Sequence, residues 1–163
     1  MEENEKQVYA VLDELAILYE RYSHVAVYTV AEAKKVDREI AGKHCKNLFL
    51  KDKKREDYYL VILPGEKRAD LAALARQAGA GGFTFASEEK LREYLNLGRG
   101  SVTPFGLLND RKKRVRVLVD RDLAGAAEVG FHPNTNTATL IIKFADFARY
   151  LTWCGNRVDY VIA

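Results

Sequence analysis

Two apolar runs joined by a charged turn set the strongest constraint on this chain. Residues 45–51 read Cys-Lys-Asn-Leu-Phe-Leu-Lys and residues 58–63 read Tyr-Tyr-Leu-Val-Ile-Leu, with the charged stretch 52–57 between them. Short apolar runs rich in β-branched and aromatic residues form strands, and a connection this short returns the second strand antiparallel to the first. A chain that contains such a hairpin builds a mixed sheet rather than a wholly parallel one. Period-two alternation places Leu48 and Leu50 on one face and Asn47 and Phe49 on the other. Lys46 falls with the leucines, so its ammonium points toward an otherwise apolar side.

The remaining elements follow from periodicity and caps. Val8, Val11, Leu12, Leu15, Leu18, Tyr19 and Tyr22 recur at three- and four-residue spacing, which predicts an N-terminal amphipathic helix over about 3–22. A short strand is expected at 24–28. Thr29-Val30-Ala31-Glu32 has the spacing of a capping box and opens a second helix to about Ile40, with Gly42 as its stop. Leu71, Leu74 and Ala75 mark a third helix, ending in the glycine-rich 79–82, and a brief strand follows at 83–86. Ser87 caps a fourth helix through Leu91, Tyr94 and Leu95 that Gly98 should end. Residues 115–119, 129–132, 137–142 and 160–162 read as strands, and Phe144, Phe147, Ala148 and Leu151 as a last helix. The expectation is an α/β (α+β) fold: one compact domain over 1–163 with a mixed six- to seven-stranded sheet flanked by helices.

Charge and composition exclude more than they identify. With 163 residues, 48% of them hydrophobic, the chain can bury a core without staples. A net charge of +3 is too small to mark a nucleic-acid binder, but its distribution is uneven. Residues 1–20 carry six carboxylates against Lys6. Residues 43–55 carry five lysines and Arg55 against Asp52, and a second basic run, Arg111-Lys112-Lys113-Arg114, comes later. Such runs are ordinarily solvated turns; meeting beside a cleft, they would hold a phosphate backbone. Cys45 and Cys154 form no metal or redox motif, and with no signal peptide they suggest a reducing cytoplasm. No apolar stretch reaches membrane-spanning length, so no membrane partner is expected. P-loop, dinucleotide, nucleophile-elbow and metalloprotease motifs are absent. His24, His44 and His132 are not at metal-ligand spacing from one another, so neither metal nor cofactor is expected.

Three features could carry chemistry. Gly100-Ser101-Val102-Thr103-Pro104-Phe105-Gly106-Leu107 is an uncharged loop whose glycines allow a close backbone approach and whose proline stiffens the exit. Lys46 is a cation on an apolar strand face. His132 precedes Pro133 at a strand end. Each has an ordinary structural reading as a turn, a snorkelling lysine and a satisfied imidazole. Together they suit hydrolysis of an ester on a phosphate-bearing carrier.

The segments Cys45-Lys46-Asn47-Leu48-Phe49-Leu50-Lys51-Asp52-Lys53-Lys54, Gly100 through Asp110 and Phe131-His132-Pro133-Asn134-Thr135-Asn136-Thr137 resemble the prolyl-tRNA synthetase-associated editing domains of the YbaK-like superfamily. The likeness is greatest to the free-standing branch that deacylates alanyl-tRNA(Pro), and it covers about 20–163. It implies a metal-free, cofactor-free aminoacyl-tRNA hydrolase whose partner is the tRNA(Pro) acceptor end carrying alanine, with prolyl-tRNA synthetase as a second partner and a monomer or weak homodimer as the working form. Carried over by motif, Lys46, Gly100 and His132 are the expected catalytic residues. Asn47, Ser101, Val102, Thr103, Pro104 and Phe131 are the expected substrate contacts. The basic residues Lys51, Lys53, Lys54, Arg55, Lys112 and Lys113 are the expected tRNA contacts. No strong general base is evident, so water would be activated by positioning, backbone dipoles or the ribose hydroxyl.

Cys45 stands where the family usually has threonine, a better hydrogen-bond partner. That departure bears on the amino-acid preference. A deacylase for another small residue, such as Cys-tRNA(Pro), and a non-catalytic tRNA- or synthetase-binding module remain the alternatives.

Overall fold

The computed structural model describes residues 2–26 and 29–163. In chain order the elements are α1 (Glu3–Glu14), β1 (Glu20–Ser23), α2 (Val30–Glu39), β2 (Lys43–Asp52), β3 (Tyr58–Pro64), α3 (Leu71–Ala78), β4 (Phe83–Phe85) and α4 (Glu88–Leu95). A 3-10 helix (Pro104–Asn109), β5 (Val115–Asp120), a second 3-10 helix (Arg121–Gly125), β6 (Glu128–Phe131), β7 (Ala138–Lys143), α5 (Phe144–Cys154) and β8 (Val158–Val161) complete the chain. The strands form one mixed sheet in the order β1-β7-β6-β2-β3-β5-β8, with β4 added beside β2.

The expected α/β class and the hairpin are present, while the strand count rises to eight among the described residues. The extra strand comes out of the predicted first helix. That helix stops at Glu14 because Ala16 turns into the left-handed region at φ +55°. Its N–H donates to the Asp13 carbonyl, and the Ile17 N–H donates back to Leu12 at 2.9 Å, which closes the helix end. The chain then runs extended, and Glu20–Ser23 pairs antiparallel with β7, Glu20 opposite Ile141 and Ser23 opposite Ala138. Tyr19 and Tyr22 continue the helical spacing of α1 only by coincidence. Of the strand expected at 24–28, residues 24–26 lie outside any strand and 27–28 lie outside the described residues. Two cap expectations hold: Thr29 and Ser87 accept from the N–H groups of Glu32 and Lys90. The end of α4 differs, because Asn96, not Gly98, takes the left-handed cap at φ +53°. Asparagine is among the few residues other than glycine that adopt this conformation readily.

The sheet is buried on both sides, and the alternation read from the sequence decides which. Leu60 and Ile62 of β3 join Phe49, α1, α4 and α5 in the larger core, around the buried rings of Phe105, Phe147 and Tyr150. Tyr59, Val61 and Leu63 join Leu50, Leu74 and Phe83 on the opposite face under α3.

What positions the site is the way β2 shares its edges. One edge pairs with β3 from Cys45 to Lys51. On the other edge, β6 runs parallel beside Lys43 and His44 only, while β4 pairs antiparallel with Leu50, Lys51 and Asp52. Between those contacts no strand of the described residues lies beside the edge of β2. The sheet forks there, and the chain after β6 swings away at His132.

At the far end of β2, Asp52 is fully buried. Its carboxylate accepts from the Lys54 N–H at 2.8 Å and from the Gly81 N–H at 3.2 Å, tying the hairpin to the turn before β4. These donors, Lys54 foremost, hold its pKa below the ordinary carboxylate value against the opposing effect of burial. A carboxyl with a depressed pKa stabilises the fold above its unfolded pKa and loses that contribution as the pH falls through the folded one. Asp52→Asn should therefore cost about 2 kcal/mol at pH 7. The gap from wild type should close as the pH falls through the depressed folded-state pKa and the native carboxyl is itself protonated. Urea melts of both proteins across pH check this.

Candidate active site

The fork opens a cavity of about 280 Å³. Its walls among the described residues come from β2 (His44, Cys45, Lys46, Asn47), from the end of β6 and just beyond (Gly130, Phe131, His132), from Thr139 of β7, Gly65 after β3, and Ala33, Lys34 and Val36 of α2. Lys46, Asn47, Phe131 and His132, far apart in sequence, are thus brought to one place.

Each of these is held by a stated contact. Lys46 is half-buried on β2, and no carboxylate among the described residues pairs with it. Asn47 donates through Nδ2 to the Val102 carbonyl at 3.2 Å, and its buried Oδ1 has no donor among the described residues. Because a carbonyl can only accept, that bond fixes which end of the amide faces the loop. His132 Nδ1 lies 2.8 Å from the Ala138 carbonyl and must donate to it, so in the neutral ring Nε2 is the unprotonated nitrogen. The His24 ring stands 5.8 Å from the His132 ring, with its Nε2 2.9 Å from the Thr139 hydroxyl. Phe131 is buried edge-on to Phe105. Cys45 is half-buried with its thiol 3.5 Å from the Lys43 carbonyl, on the cavity wall.

The glycine loop contributes in two different ways. Gly100 sits in an exposed turn at φ +85°, where the Ser101 N–H donates to Gly98. Ser101 lines a neighbouring polar cavity instead of this one. The loop then dives inward. Thr103 is fully buried, and its hydroxyl donates to the His132 carbonyl at 2.6 Å while the Phe105 N–H donates to it at 3.4 Å. Pro104 opens the first 3-10 helix, and its carbonyl accepts from the buried Tyr150 hydroxyl at 2.9 Å. Val102 and Thr103 therefore join Asn47 to His132, while Pro104 anchors the loop from behind.

The basic residues lie elsewhere. The 52–57 turn and the 111–114 turn meet at one end of the sheet, because Tyr58 and Val115 are paired neighbours in β3 and β5. That end is about 20 Å along β2 from Lys46. Lys51 is ion-paired with Glu56 at 3.1 Å, and the stems of Lys53 and Lys54 lie over Gly82 and Gly81. Lys112 and Lys113 are exposed, and beside them Arg114 stacks on Tyr94 at 4.4 Å. These residues form a basic surface remote from the cavity, not a wall of it.

Reading by motif missed several wall residues. A Cβ on Gly130 would come within 2.8 Å of Ile141 Cδ1 and 3.4 Å of His44 Nδ1, so glycine is what lets β6 close on β2. A glycine inside a strand run is the signal that could have indicated it. His44, Thr139 and α2 carried no such signal. Among the described residues no group of three or more His, Cys, Asp or Glu could hold a metal ion, and no helix is long and apolar enough to cross a membrane.

A mixed sheet forked in this way has a counterpart among solved structures. The crystal structure of a candidate trans-editing enzyme for prolyl tRNA synthetase superposes with a TM-score of 0.72 at 21% identity, covering 100% of this chain and 99% of that one. That likeness establishes the fold. At the sequence level, residues 24–150 match the aminoacyl-tRNA editing domain family. Prolyl-tRNA editing protein ProX of Acetoanaerobium sticklandii is 41% identical over 149 residues, 91% of each chain. Prolyl-tRNA synthetase associated domain-containing protein 1 of Bos taurus is 39% identical over 145 residues, 87% of this chain and 85% of that one. The chain belongs to the aminoacyl-tRNA editing domain family and is an aminoacyl-tRNA deacylase, a hydrolase.

Proposed function

We propose that this deacylase acts in trans on Ala-tRNA(Pro), in the cytoplasm, releasing alanine from the mischarged acceptor end. The observation that carries the reading is the company kept in the fork cavity: an ammonium with no carboxylate partner among the described residues, beside an imidazole held by the Ala138 carbonyl. A phosphate or an ester carbonyl satisfies Lys46. Water then adds to the ester carbonyl, and the C–O bond to the ribose breaks as the hydroxyl takes up a proton. An aminoacyl ester is already activated, so a positioned water and a few oriented dipoles suffice without a strong base. The small side chains of Ala33 and Cys45 on the cavity wall leave room for the methyl of alanine.

The test is incubation with Ala-, Cys-, Ser- and Pro-tRNA(Pro). Rapid loss of the alanyl ester with the prolyl ester intact is expected. Preferential loss of Cys-tRNA(Pro) would move the assignment to another small residue, with Cys45 as the reason. Intact esters across the panel, from folded protein, would overturn the substrate assignment.

The basic surface is assigned to the acceptor stem, since at about 20 Å from Lys46 it is beyond the ester itself. Neutralising Lys53, Lys54, Arg55, Lys112 and Lys113 together should flatten the dependence of log affinity on log salt by several units. An unchanged slope would make these ordinary solvated turns.

A further inference from the structure

His24 follows the end of β1, outside the described walls of the fork cavity, yet its backbone and both of its ring nitrogens are tied down. Its N–H donates to the Thr137 carbonyl at 2.9 Å, which carries the β1–β7 ladder one residue past the strand. Its Nδ1 lies 2.8 Å from the Val25 carbonyl and must donate to it, since a carbonyl can only accept. In the neutral ring, Nε2 therefore accepts from the Thr139 hydroxyl at 2.9 Å. Thr139 is buried and two-faced: its methyl lies 3.5 Å from where a Cβ on Gly130 would stand, while its hydroxyl is turned to His24.

Successive residues where β7 begins thus hold two imidazoles between them. Thr137 and Thr139 hold His24, and the Ala138 carbonyl that separates them takes Nδ1 of His132 at 2.8 Å. The two rings stand 5.8 Å apart and tilted by 59°, within the range of edge-to-face aromatic pairs. His132 needs such a neighbour because of where it sits, at the point where β6 ends and the chain swings away into Pro133. A hydrogen bond at one nitrogen fixes the tautomer but lets the ring rock about that bond, since the torsion next to an imidazole is broad. A second ring, itself held at both nitrogens, closes off that motion.

Resting on the reading that places His132 at the ester, we infer that His24 is a positioning residue of the deacylase: its ring braces the imidazole of His132 from behind, outside the cavity. It acts through His132 and touches neither the ester nor the tRNA. Its two kinds of contact have separate consequences. The hydrogen bond to the buried Thr139 hydroxyl serves the fold, because without it a buried donor loses its acceptor. The ring face serves the reaction, because it holds His132 in one orientation.

Two variants separate these consequences. His24→Gln keeps an acceptor within reach of Thr139 and removes the ring; His24→Phe keeps a ring of similar shape and leaves the Thr139 hydroxyl unserved. His24→Gln should melt close to wild type yet lose about tenfold in kcat on Ala-tRNA(Pro), with KM unchanged, as expected for a reacting group allowed to wander. His24→Phe should melt lower and still recover most of the rate. Nitrogen NMR of the ring gives a readout without substrate: the His132 proton should stay on Nδ1 in wild type and His24→Phe, and spread over both nitrogens in His24→Gln. A wild-type kcat in His24→Gln, a His24→Phe as slow as His24→Gln, or a His132 proton fixed on Nδ1 in all three proteins would each overturn the brace. If wild type left Ala-tRNA(Pro) intact, the substrate reading would fall, and the ring spectra would decide the brace by themselves.

Discussion

Lys46→Ala should lower the rate of Ala-tRNA(Pro) hydrolysis by about a hundredfold or more, the usual cost of removing one electrostatic contact to a reacting carbonyl or phosphate. Its melting temperature should stay level or rise. The two signs follow from one fact: the ammonium is half-buried on an otherwise apolar strand face, beside Leu48 and Leu50, with no carboxylate among the described residues to offset its desolvation. A group that is costly in the fold and indispensable to the substrate is where stability and activity trade against each other. Lys46→Arg should not restore the rate, because the planar fork does not reproduce a compact ammonium in a cavity of about 280 Å³. Single-turnover hydrolysis, thermal melts and tRNA binding on the same three proteins check all of this. A variant that loses tRNA binding but, at saturating tRNA, keeps the wild-type rate would make Lys46 an anchor with no part in the chemistry.

The second large effect is expected at Gly100. Its φ of +85° is closed to β-branched side chains, so Gly100→Val must move the turn. The displacement passes to Val102, whose carbonyl holds Asn47, and to Thr103, whose hydroxyl holds His132. A rate loss of about a hundredfold is expected, comparable to misplacing a catalytic contact by an ångström. Gly100→Asn, which tolerates the left-handed region, should recover most of it. Ser101→Ala should cost only a few-fold, since its hydroxyl lines the neighbouring cavity. If Ser101→Ala were severe and Gly100→Val mild, the hydroxyl would be the reacting group and the backbone account would be wrong.

Much of the fold is written locally. The hairpin, the split of Leu50 and Phe49 between two cores, and the caps at Thr29 and Ser87 all depend on residues within a few positions of one another. What was not legible depends on partners far along the chain. Nothing near Ala16 signals a helix stop, while Leu18, Tyr19 and Tyr22 keep the helical period. The strand there exists because β7, some 120 residues on, offers an edge. The fork is equally non-local: β6 pairs with Lys43 and His44 and then leaves, so the walls supplied by Gly130, Thr139 and α2 belong to tertiary structure. The family resemblance pointed to Lys46, Asn47, Phe131 and His132, which the fold brings to one cavity. The same reading placed Ser101 with them and left the basic turns unplaced, since spacing in sequence says nothing about which side of a loop a side chain takes.

The central claim is that the ester sits in the β2–β6 fork, and its most direct test uses an analogue that cannot be cleaved. Adenosine carrying alanine through a 3′-amide can be titrated into isotope-labelled protein while backbone amide shifts are followed. The account predicts that the largest changes fall on Lys46, Asn47 and 130–132, with smaller ones at 100–103 and none at 52–57. Shifts centred on the basic turns, or on the polar cavity that Ser101 lines with Lys46 and His132 unmoved, would contradict it.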